Sequence, residues 1–571
     1  MQELPTGQGD DLHELKRTTL ADCIARFIAE KDTPAVFQLS GGMIAFMIDA
    51  IERLGNTPII NTRHEQAAGF AAEGSARISR IPGFAMGTSG PGATNLLTPI
   101  ASSYFDSIPV VYITGQVNQK ELRTNPSQRQ NGFQELDICE MAKLITKKVY
   151  NPKTAAEVLI ALNEGWVLCQ EGRQGPVLID IPINLQQDFI EYDFPALPTR
   201  IMKSDVSTDE LSEFKNLLSS AKHPLLLIGG GVRLANATKL LSKFISKTGI
   251  PYVSTLLGLD SISHTNNLYL GFIGSYGNRW ANAAVRQSDL LITIGSRLDV
   301  RQTGNNISKF IAGKKIIRVD IDEHELSGRI SSDLAIKSDA SDFLMAALEI
   351  DYRIDSSLYI SGIREIQKNH PQELEQPSNL ALNPSIVMEY VGELFFEASG
   401  FIIDVGQHQM WAAQSIRLRD GQRFLTSGGL GAMGFAIPAS IGAAAAKKDR
   451  WVSISGDGCL QLSSAELQTI IQYKLPIAVC VINNGQHGMV AQFQEENMDG
   501  RLTGTRDGFS NPNFQDLAKA YGFTKIAKIA HVEDLEKIKQ LIKEMKDEPI
   551  FLEIMVDPQA KVLPKMSAKD E

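Results

Sequence analysis

The sequence predicts an α/β protein of three domains, each built around a parallel β-sheet. Its 571 residues are several times the usual length of one domain. Short apolar runs alternate with helix-like stretches along most of the chain, which is the pattern of βαβ units and parallel sheets. Two polar passages that contain prolines, near residues 188–208 and 368–384, interrupt this alternation. We therefore expect domains at residues 15–188, 205–350 and 380–560.

The composition excludes several classes of protein. A net charge of -10 argues against a general nucleic-acid binder, which needs basic side chains for phosphate contacts. The five cysteines are scattered without metal-ligand spacing, and an odd number does not suit a disulfide framework. The N-terminus is polar, and no apolar stretch is long enough to span a membrane. We expect a soluble, cytoplasmic protein with no nucleic-acid or membrane partner.

In the first domain, buried-strand candidates such as "IPVVYITG" and "GPVLIDIP" alternate with helices such as "HEQAAGFAAEGSARI". Glu65 follows the strand candidate "TPIINT" and begins a helix rich in small residues. A carboxylate at this place can simply interact favourably with the helix dipole. It can equally serve as a catalytic acid or base. The residues alone leave both interpretations open.

In the middle domain, the runs "HPLLLIGGG", "DLLITIGSRLD" and "KKIIRVDID" read as buried strands. The first run ends in a glycine-rich turn that suits a diphosphate group. The signal is weak by itself because the turn lacks a clean GxGxxG pattern.

In the third domain, the runs "FIIDVG", "WVSISGDG" and "IAVCVINN" each end in Gly, Asp or Asn, where parallel sheets place their ligand loops. Asn484 lies 27 positions after Asp457. If their strands are neighbours, a carboxylate and an amide oxygen face one pocket and suit Mg²⁺ bound to a diphosphate. The S-x-x-E pattern of residues 463–466 predicts a capping box with free N–H groups for a phosphate. A plain turn and a plain strand end are the alternatives for each motif taken singly.

GDG followed by NN at this interval resembles the signature of thiamine diphosphate (ThDP) enzymes. That resemblance implies that Asp457, Asn484 and the backbone carbonyl of Gln486 hold Mg²⁺. The segments "GQHQMWAAQ" and "SGGLGAMGFAIPASIGAA" are similar to those of acetohydroxyacid synthases, also called acetolactate synthases. The similarity covers essentially the whole chain. It implies that the three domains bind the ThDP pyrimidine, FAD and the ThDP diphosphate, in that order.

The resemblance also implies roles for individual residues. Glu65 would lie at the pyrimidine ring and promote loss of the cofactor's C2 proton. Met433 would support the thiazolium ring, although a methionine considered without the motif is more often a core residue. Gln134 could donate a hydrogen bond to a carbonyl oxygen that gains charge, although it could also be a surface amide. With it, Gly42 and Phe133 would line the reaction space. The ThDP-binding residues would be Pro91, Asn95, Val405, Gly406, Gln407, His408, Gly431, Met433, Gly458, Cys459, Gly488 and Met489.

For the flavin, the segments "GSRLDVRQTG" and "VDIDEHEL" resemble those that contact FAD in these synthases. The resemblance implies an FAD site built from Gly230, Thr255, Gly271, Arg297, Asp299 and Asp320. Arg301 would bind the carboxylate of the acceptor keto acid, although without the resemblance it could be a salt-bridged surface arginine.

Three positions depart from the usual synthase pattern, and all three lie on the acceptor side. Ile183 replaces a lysine of the site rim, and Phe493 replaces a tryptophan associated with the larger acceptor 2-ketobutyrate. Phe272 lies in a longer loop, near the position of a methionine. In these changes the sequence resembles a subgroup of synthase-like enzymes that transfer a two-carbon unit to nucleotide-activated keto sugars.

The resemblance implies a carboligase of branched-chain amino acid biosynthesis. Pyruvate would lose CO₂ and its remaining two carbons would join a second pyruvate to give 2-acetolactate. Transfer to the keto group of a nucleotide-activated sugar is the alternative, and a pyruvate oxidase or a non-catalytic homologue is less favoured. Because Glu65 and Asp457 come from different subunits in related enzymes, we expect a homodimer or homotetramer. A separate regulatory subunit is a further possible partner.

Overall fold

The computed structural model describes residues 18–125, 127–190, 206–375, 382–531, 533–534, 538–539, 542 and 547–566. They form three six-stranded parallel sheets and one short antiparallel pair. Three parallel sheets are the architecture that the sequence predicts. Residues 191–205 of the first expected linker and residues 376–381 of the second lie outside the described residues.

The first sheet lies in the N-terminal part of the chain, and its strand order is β3-β2-β4-β5-β7-β6. Its strands are β2 (Val36–Gln38), β3 (Ile59–Asn61), β4 (Gly83–Gly87), β5 (Val110–Gln116), β6 (Lys148–Tyr150) and β7 (Val177–Pro182), and the antiparallel pair is β1 (Thr18–Thr19) with β8 (Phe189–Ile190). The helices are α1 (Leu20–Glu30), α2 (Ala45–Leu54), α3 (Glu65–Ser79), α4 (Pro91–Asn95), α5 (Leu97–Asp106), α6 (Ile138–Ala142), α7 (Ala155–Gln170) and α8 (Ile183–Gln186).

The second sheet has the order β11-β10-β9-β12-β13-β14, which is the doubly wound order of dinucleotide-binding domains. Its strands are β9 (Pro224–Ile228), β10 (Tyr252–Ser254), β11 (Tyr269–Phe272), β12 (Leu290–Ile294), β13 (Lys315–Asp320) and β14 (Leu334–Lys337). The helices are α9 (Thr208–Ser220), α10 (Gly231–Leu234), α11 (Thr238–Thr248), α12 (Arg279–Gln287), α13 (Val300–Thr303), α14 (Ile307–Ile311), α15 (Glu323–Leu326), α16 (Ala340–Ala347) and α17 (Ser357–Asn369).

The third sheet, with the order β16-β15-β17-β18-β20-β19, repeats the topology of the first. Its strands are β15 (Gly400–Ile403), β16 (Arg423–Leu425), β17 (Trp451–Gly456), β18 (Ile477–Asn483), β19 (Ile526–Ile529) and β20 (Ile550–Met555). The helices are α18 (Pro384–Leu394), α19 (Gln407–Ser415), α20 (Ala436–Ala446), α21 (Asp457–Ser463), α22 (Glu466–Gln472), α23 (Gly488–Asn497) and α24 (Phe514–Ala520). Short 3₁₀ turns cover Gly42–Ile44, Gln119–Glu121, Lys143–Ile145, Leu256–Ser261 and Gln372–Glu375.

Small residues let the first and third domains pack closely through α3 and α20. A Cβ atom on Gly74 would overlap the backbone of Ala439, and one on Gly442 would overlap the backbone of Ala71. Both helices are almost completely buried, and they share one apolar core. Because Glu65 is the first residue of α3, this packing fixes its position relative to the third domain of the same chain.

A buried ionic group strengthens the same junction. Arg77 forms ion pairs with Glu73 and with Asp106, and all three side chains are at most 8 % exposed. The Asp106 carboxylate also accepts hydrogen bonds from the backbone N–H groups of Gly428 (2.9 Å) and Gly429 (2.7 Å). Buried charges of this kind are tolerated only when each is paired and hydrogen-bonded. Asp106 thereby anchors the loop that leads to Met433.

The capping box expected at residues 463–466 does not form. Helix α21 ends at Ser463, and α22 begins at Glu466 after Ala465, whose backbone is helical and therefore unsuited to an N-cap. The Glu466 carboxylate instead accepts hydrogen bonds from the backbone N–H of Arg63 (2.8 Å) and the Thr469 hydroxyl (2.7 Å). The N-cap of α21 is Gly456, which has no side chain to cap the helix.

All five cysteines are buried and free, as expected from their number and spacing. In the part of the chain that the structure describes, no helix combines the length and apolar character needed to cross a membrane.

Candidate active site

The third sheet brings Asp457 and Asn484 together. Strands β17 and β18 are parallel neighbours, with Gly456 opposite Ile482, so the residues that follow them meet at one edge. The Asp457 carboxylate accepts hydrogen bonds from the backbone N–H groups of Gly458 (2.9 Å) and Gly485 (2.8 Å). Burial raises the pKa of the Asp457 carboxyl group. A cation bound beside it would have the opposite effect and favour the ionised carboxylate.

Gln407 orients the amide of Asn484. Asn484 Nδ2 donates a hydrogen bond to Gln407 Oε1 (2.9 Å), while Gln407 Nε2 donates to the carbonyl of Ala560 (3.0 Å). The Asn484 amide oxygen therefore points away from Gln407, and among the described residues only the backbone N–H of Gln486 donates to it, at 3.3 Å. A Cβ atom on Gly488 would overlap Gln407 Oε1, so this hydrogen bond requires glycine there.

Gln486 can offer its backbone carbonyl but not its side chain. Its side-chain Nε2 donates to the carbonyl of Pro558, and its Oε1 accepts from Arg506 Nε (3.0 Å). Its backbone carbonyl accepts one hydrogen bond, from the N–H of Gly488 (3.0 Å), and keeps a second lone pair. The donor set is therefore one carboxylate, one amide oxygen and one carbonyl, which are the hard oxygen ligands that Mg²⁺ prefers.

Asn511 and Glu553, which belong to no sequence motif, support this group of oxygen ligands. Asn511 Nδ2 donates hydrogen bonds to Asp457 (2.9 Å) and to Asn483 Oδ1 (3.0 Å). Asn483 Nδ2 donates in turn to the buried carboxylate of Glu553 on β20 (2.7 Å). The first asparagine of the pair thus holds the strand end in place, while the second faces the pocket.

Asp404, which the sequence analysis missed, ties two predicted cofactor loops together. Its fully buried carboxylate accepts hydrogen bonds from the backbone N–H groups of Val405 (2.9 Å), Gly434 (2.9 Å) and Ala436 (3.0 Å). Burial raises the pKa of Asp404. The hydrogen bonds fix the loop that carries Gly431 and the half-buried Met433. Cys459 adds a contact, because its Sγ donates to the carbonyl of Val405 (3.2 Å).

His408 is a neutral link between the ends of two strands. Its ring lies so close to Gly406 and Gly456 that a Cβ atom on either glycine would come within 3 Å of it. The backbone N–H of Gly456 donates to Nε2 (3.2 Å), and burial lowers the pKa of His408 to about 3. His408 therefore contributes no positive charge toward a diphosphate at neutral pH.

This buried histidine predicts a loss of stability in acid. Because the folded pKa of about 3 lies below the ordinary value of 6.5, the unfolded chain binds one more proton between these pH values. The free energy of unfolding should therefore fall as the pH drops below 6.5, with a slope from this residue of up to about 1.4 kcal/mol per pH unit. Denaturant unfolding of the cofactor-free protein at several pH values measures the slope.

Two variants isolate the contribution of His408. His408→Gln should reduce the slope, whereas His370→Gln, at an exposed site, should leave it unchanged. An equal slope in wild type and His408→Gln would show that this residue does not control acid stability.

In the first domain, a second group of predicted site residues surrounds residues 88–92. A Cβ atom on Gly92 would lie 3.1 Å from Glu65 Oε1, and one on Gly90 would lie 2.9 Å from the Gln134 side chain. Glu65 is 6 % exposed, and its Oε2 accepts a hydrogen bond from Asn95 Nδ2 (3.0 Å) on α4. Pro91 begins α4, so these residues share one loop and helix start.

Gln134 occupies a strained turn beside this loop. Its backbone has φ = 66°, a conformation that is uncommon for residues other than glycine. The Glu135 side chain holds the turn by accepting from the backbone N–H groups of Arg123 (2.8 Å) and Asn131 (2.7 Å). Phe133 is 80 % exposed, and Gly42 has no atom within 4 Å of the place where a Cβ would be. Both residues therefore face open space.

The two groups are not linked by hydrogen bonds within the described part of one chain. Among the described residues, no hydrogen bond joins Glu65 or Gln134 to Asp457, Asn484 or Gln407. Glu65 contacts Asn95 of its own domain instead.

A large cleft opens at the carboxyl ends of the second sheet. The doubly wound order reverses between β9 and β12, and the loops after these two strands, Gly229–Gly231 and Gly295–Arg297, pack backbone to backbone there. Such a switch point is where dinucleotides bind in open α/β sheets. The cleft has an empty volume of about 1390 Å³, counted out to its open mouth. The predicted residues that line it are Gly230, Thr255, Phe272, Arg297, Asp299, Arg301 and Asp320.

The charged residues of the cleft differ in their partners. Arg297 donates to the Asp299 carboxylate (3.0 Å), and Asp299 also caps α13. Burial raises the pKa of Asp320, at the end of β13. Arg301 is exposed, and its side chain makes no hydrogen bond or ion pair within the described ranges. Arg173, which has no role in the sequence analysis, pairs across the cleft rim with Asp322 (3.0 Å) and Glu325 (2.7 Å).

Four predicted residues lie apart from these groups or in unexpected surroundings. Gly271 does not line the cleft; it lies within β11, where its φ of 111° and the closeness of Trp280 Nε1 to the place of a Cβ favour glycine. Phe272 is 5 % exposed and packs in the core of the third domain, although one side reaches the cleft. Phe493 is 50 % exposed on α23, the helix that begins with Gly488 and Met489. Met489 packs against the third-domain core.

Comparison with known proteins identifies the family. Three domain models match: thiamine pyrophosphate enzyme, N-terminal TPP binding domain (residues 18–141), central domain (211–347) and C-terminal TPP binding domain (404–554). The acetolactate synthase large subunit of Corynebacterium glutamicum is 36% identical over 97% of this chain and 89% of its own length. That of Lactococcus lactis is 34% identical over 97% and 95%, and the probable large subunit of Methanocaldococcus jannaschii is 35% identical over 95% and 93%.

The chain belongs to the acetolactate synthase family of ThDP enzymes. The predictions of the family, of the fold and of ThDP as cofactor are therefore confirmed. In this acetolactate synthase family member, the residue roles, Mg²⁺ and FAD remain predictions, and so do the three domain ranges.

Proposed function

We propose that the chain decarboxylates pyruvate on ThDP and joins the remaining two carbons to a second pyruvate, which gives 2-acetolactate. The observation that carries the proposal is identity of 34% to 36% to acetolactate synthases over nearly the whole chain. Glu65, Asp457 and Asn484 are all present, which argues against a non-catalytic homologue.

When bound, ThDP would supply a nucleophilic carbon for the keto carbon of pyruvate and an electron sink for the loss of CO₂. Around it, Asp457, Asn484 and the carbonyl of Gln486 would hold Mg²⁺ and through it the diphosphate. Glu65 would keep a proton at the pyrimidine edge. Its burial against Asn95 supports this role, because a dry pocket strengthens one hydrogen bond to a carboxylate.

On the substrate side, the Gln134 amide would donate to the carbonyl oxygen as it gains charge, and its strained backbone supports a functional rather than a packing role. Arg301 would bind the acceptor carboxylate, because it is a cation on the cleft without a partner among the described residues.

FAD is proposed for the cleft of the middle domain. The doubly wound order, the glycine loops at the switch point and the carboxylate of Asp320 suit a dinucleotide. No redox step is needed for acetolactate formation, so the flavin would have a structural role.

A homodimer or homotetramer is proposed as the working assembly. Within one chain the Glu65 group and the Asp457 group share no hydrogen bond among the described residues, so a second copy would complete each site. Relatives named as large subunits support a further, smaller regulatory partner.

Transfer to a keto-sugar nucleotide is the second candidate. It is favoured by Phe493, which is exposed beside the predicted cofactor site, and by Ile183, which replaces the usual lysine at the start of α8. Both changes alter the acceptor side and leave the ThDP residues intact.

The test supplies the enzyme with pyruvate, ThDP and Mg²⁺ and measures acetolactate and CO₂. We expect turnover with pyruvate alone. Turnover only after addition of a keto-sugar nucleotide would replace the proposal by the second candidate. Reduction of bound flavin by pyruvate at the rate of turnover would indicate a pyruvate oxidase instead.

A further inference from the structure

A second, smaller cavity lies between the middle and third domains. It is bounded by the end of β11, the start of α12, the helix α17 and the last residues of α19. Its empty volume is about 400 Å³ out to the mouth, and no residue lines both this cavity and the large cleft. The surface that lines it is mostly polar. Such a cavity suits a small polar ligand rather than an apolar one.

Two arginines face this cavity. Arg364 donates hydrogen bonds to the carbonyl of Tyr269 (2.7 Å) and to Gln367 Oε1 (2.7 Å). Arg417 is exposed and makes no hydrogen bond or ion pair with the described residues. Burial, and then the charge of Arg417, lower the pKa of Arg364, so the two cations repel each other across the cavity. Glu389 interacts with Arg417 electrostatically but forms no ion pair with it.

Buried polar groups without partners line the same cavity. Ser415 Oγ and Gln414 Oε1 have no hydrogen bond in the structure, and both side chains are more than nine-tenths buried. The indole N–H of Trp280, a residue only 5 % exposed, also has no hydrogen-bond partner among the described residues. Unsatisfied buried polar groups are costly, so a ligand that pairs with them gains free energy.

The start of α12 adds positive potential. Asn278 occupies the N-cap but does not cap the helix, because its side chain accepts from Phe272 N and donates to Gln372 and the Gln414 carbonyl. The first turn of α12 therefore has no side-chain cap, and Trp280 of this turn lines the cavity.

We propose that this cavity binds a small oxyanion, such as hydrogen phosphate or a short carboxylate. The anion would lie between Arg364 and Arg417, accept hydrogen bonds from Trp280 and Ser415, and donate to Gln414 through a hydroxyl group or a bound water. The site lies at the far end of α19 from Gln407, so it is separate from the ThDP site and does not depend on the proposed reaction.

The experiment uses the enzyme saturated with ThDP, Mg²⁺ and FAD, which fills the other anion sites, and titrates it calorimetrically with inorganic phosphate and separately with acetate. Arg417→Gln should weaken binding by about 10- to 100-fold, the value of a charge-assisted hydrogen bond. Arg419→Gln is the matched control, because Arg419 is also exposed on the same loop but does not line the cavity. It should bind like the wild type.

The anion that binds more tightly identifies the class of ligand. A crystal soaked in selenate should show an anomalous peak between the two arginines. Equal affinities in wild type and Arg417→Gln, or the absence of saturable binding by both anions, would overturn the proposal. Equal thermal unfolding midpoints of the two proteins, measured without anion, would exclude misfolding as the cause of weaker anion binding in the variant.

Discussion

Replacing Glu65 with glutamine should lower the rate of acetolactate formation by about 100- to 10,000-fold, the range of one acid–base group. Glutamine has nearly the same size and can still accept the hydrogen bond of Asn95. It cannot exchange a proton with the pyrimidine ring, so it cannot promote loss of the cofactor's C2 proton. The fold should therefore be preserved while proton removal fails. Turnover is measured as CO₂ released from pyruvate at saturating ThDP and Mg²⁺.

The control for this experiment is Glu52→Gln, an equal change of charge at an exposed site on α2. It should have normal activity. Exchange of the cofactor's C2 proton with deuterium, followed by NMR, separates the proton step from binding and should be slow only in Glu65→Gln. Unchanged CO₂ release from Glu65→Gln would refute the assignment of this carboxylate.

The strand ends were the most predictable part of the structure. Asp457 and Asn484 each follow an apolar run, and the parallel order of β17 and β18 places them side by side as expected. The prediction needed only the rule that parallel strands put their carboxyl ends at one edge. The shared topology of the first and third sheets could likewise be suspected from their similar patterns.

Contacts between distant segments could not be predicted. Glu466 lies in a capping-box pattern, yet its carboxylate accepts a hydrogen bond from the backbone N–H of Arg63 in another domain, which tertiary packing brings within reach. Asn511 orients Asp457 from a loop that carries no motif. Asp404 reads as an ordinary strand end, and only the folded chain shows that three N–H groups converge on it. Its place at the end of the apolar run "FIIDVG" is the sequence signal that could have singled it out.

Replacing Asp457 with asparagine should weaken ThDP binding in the presence of Mg²⁺ by about 100-fold, the upper end of the effect seen for groups that support a metal. The change removes the only carboxylate of the predicted donor set. It also turns an amide NH₂ toward the N–H groups of Gly485 and Asn511, which now donate to the carboxylate. ThDP titrations at fixed Mg²⁺, followed by calorimetry, measure the effect.

Two further variants are compared with Asp457→Asn. Asn511→Ala leaves the carboxylate in place but frees it to rotate, so its effect should be smaller, about 10-fold. Asp499→Asn changes the same charge at a side chain that is 89 % exposed and should have no effect. Because Asp457 would act through the metal, raising the Mg²⁺ concentration should partly restore ThDP binding, and Asp457→Asn should need more Mg²⁺ than Asn511→Ala. Wild-type affinity for both Mg²⁺ and ThDP in Asp457→Asn would place the metal elsewhere in the chain.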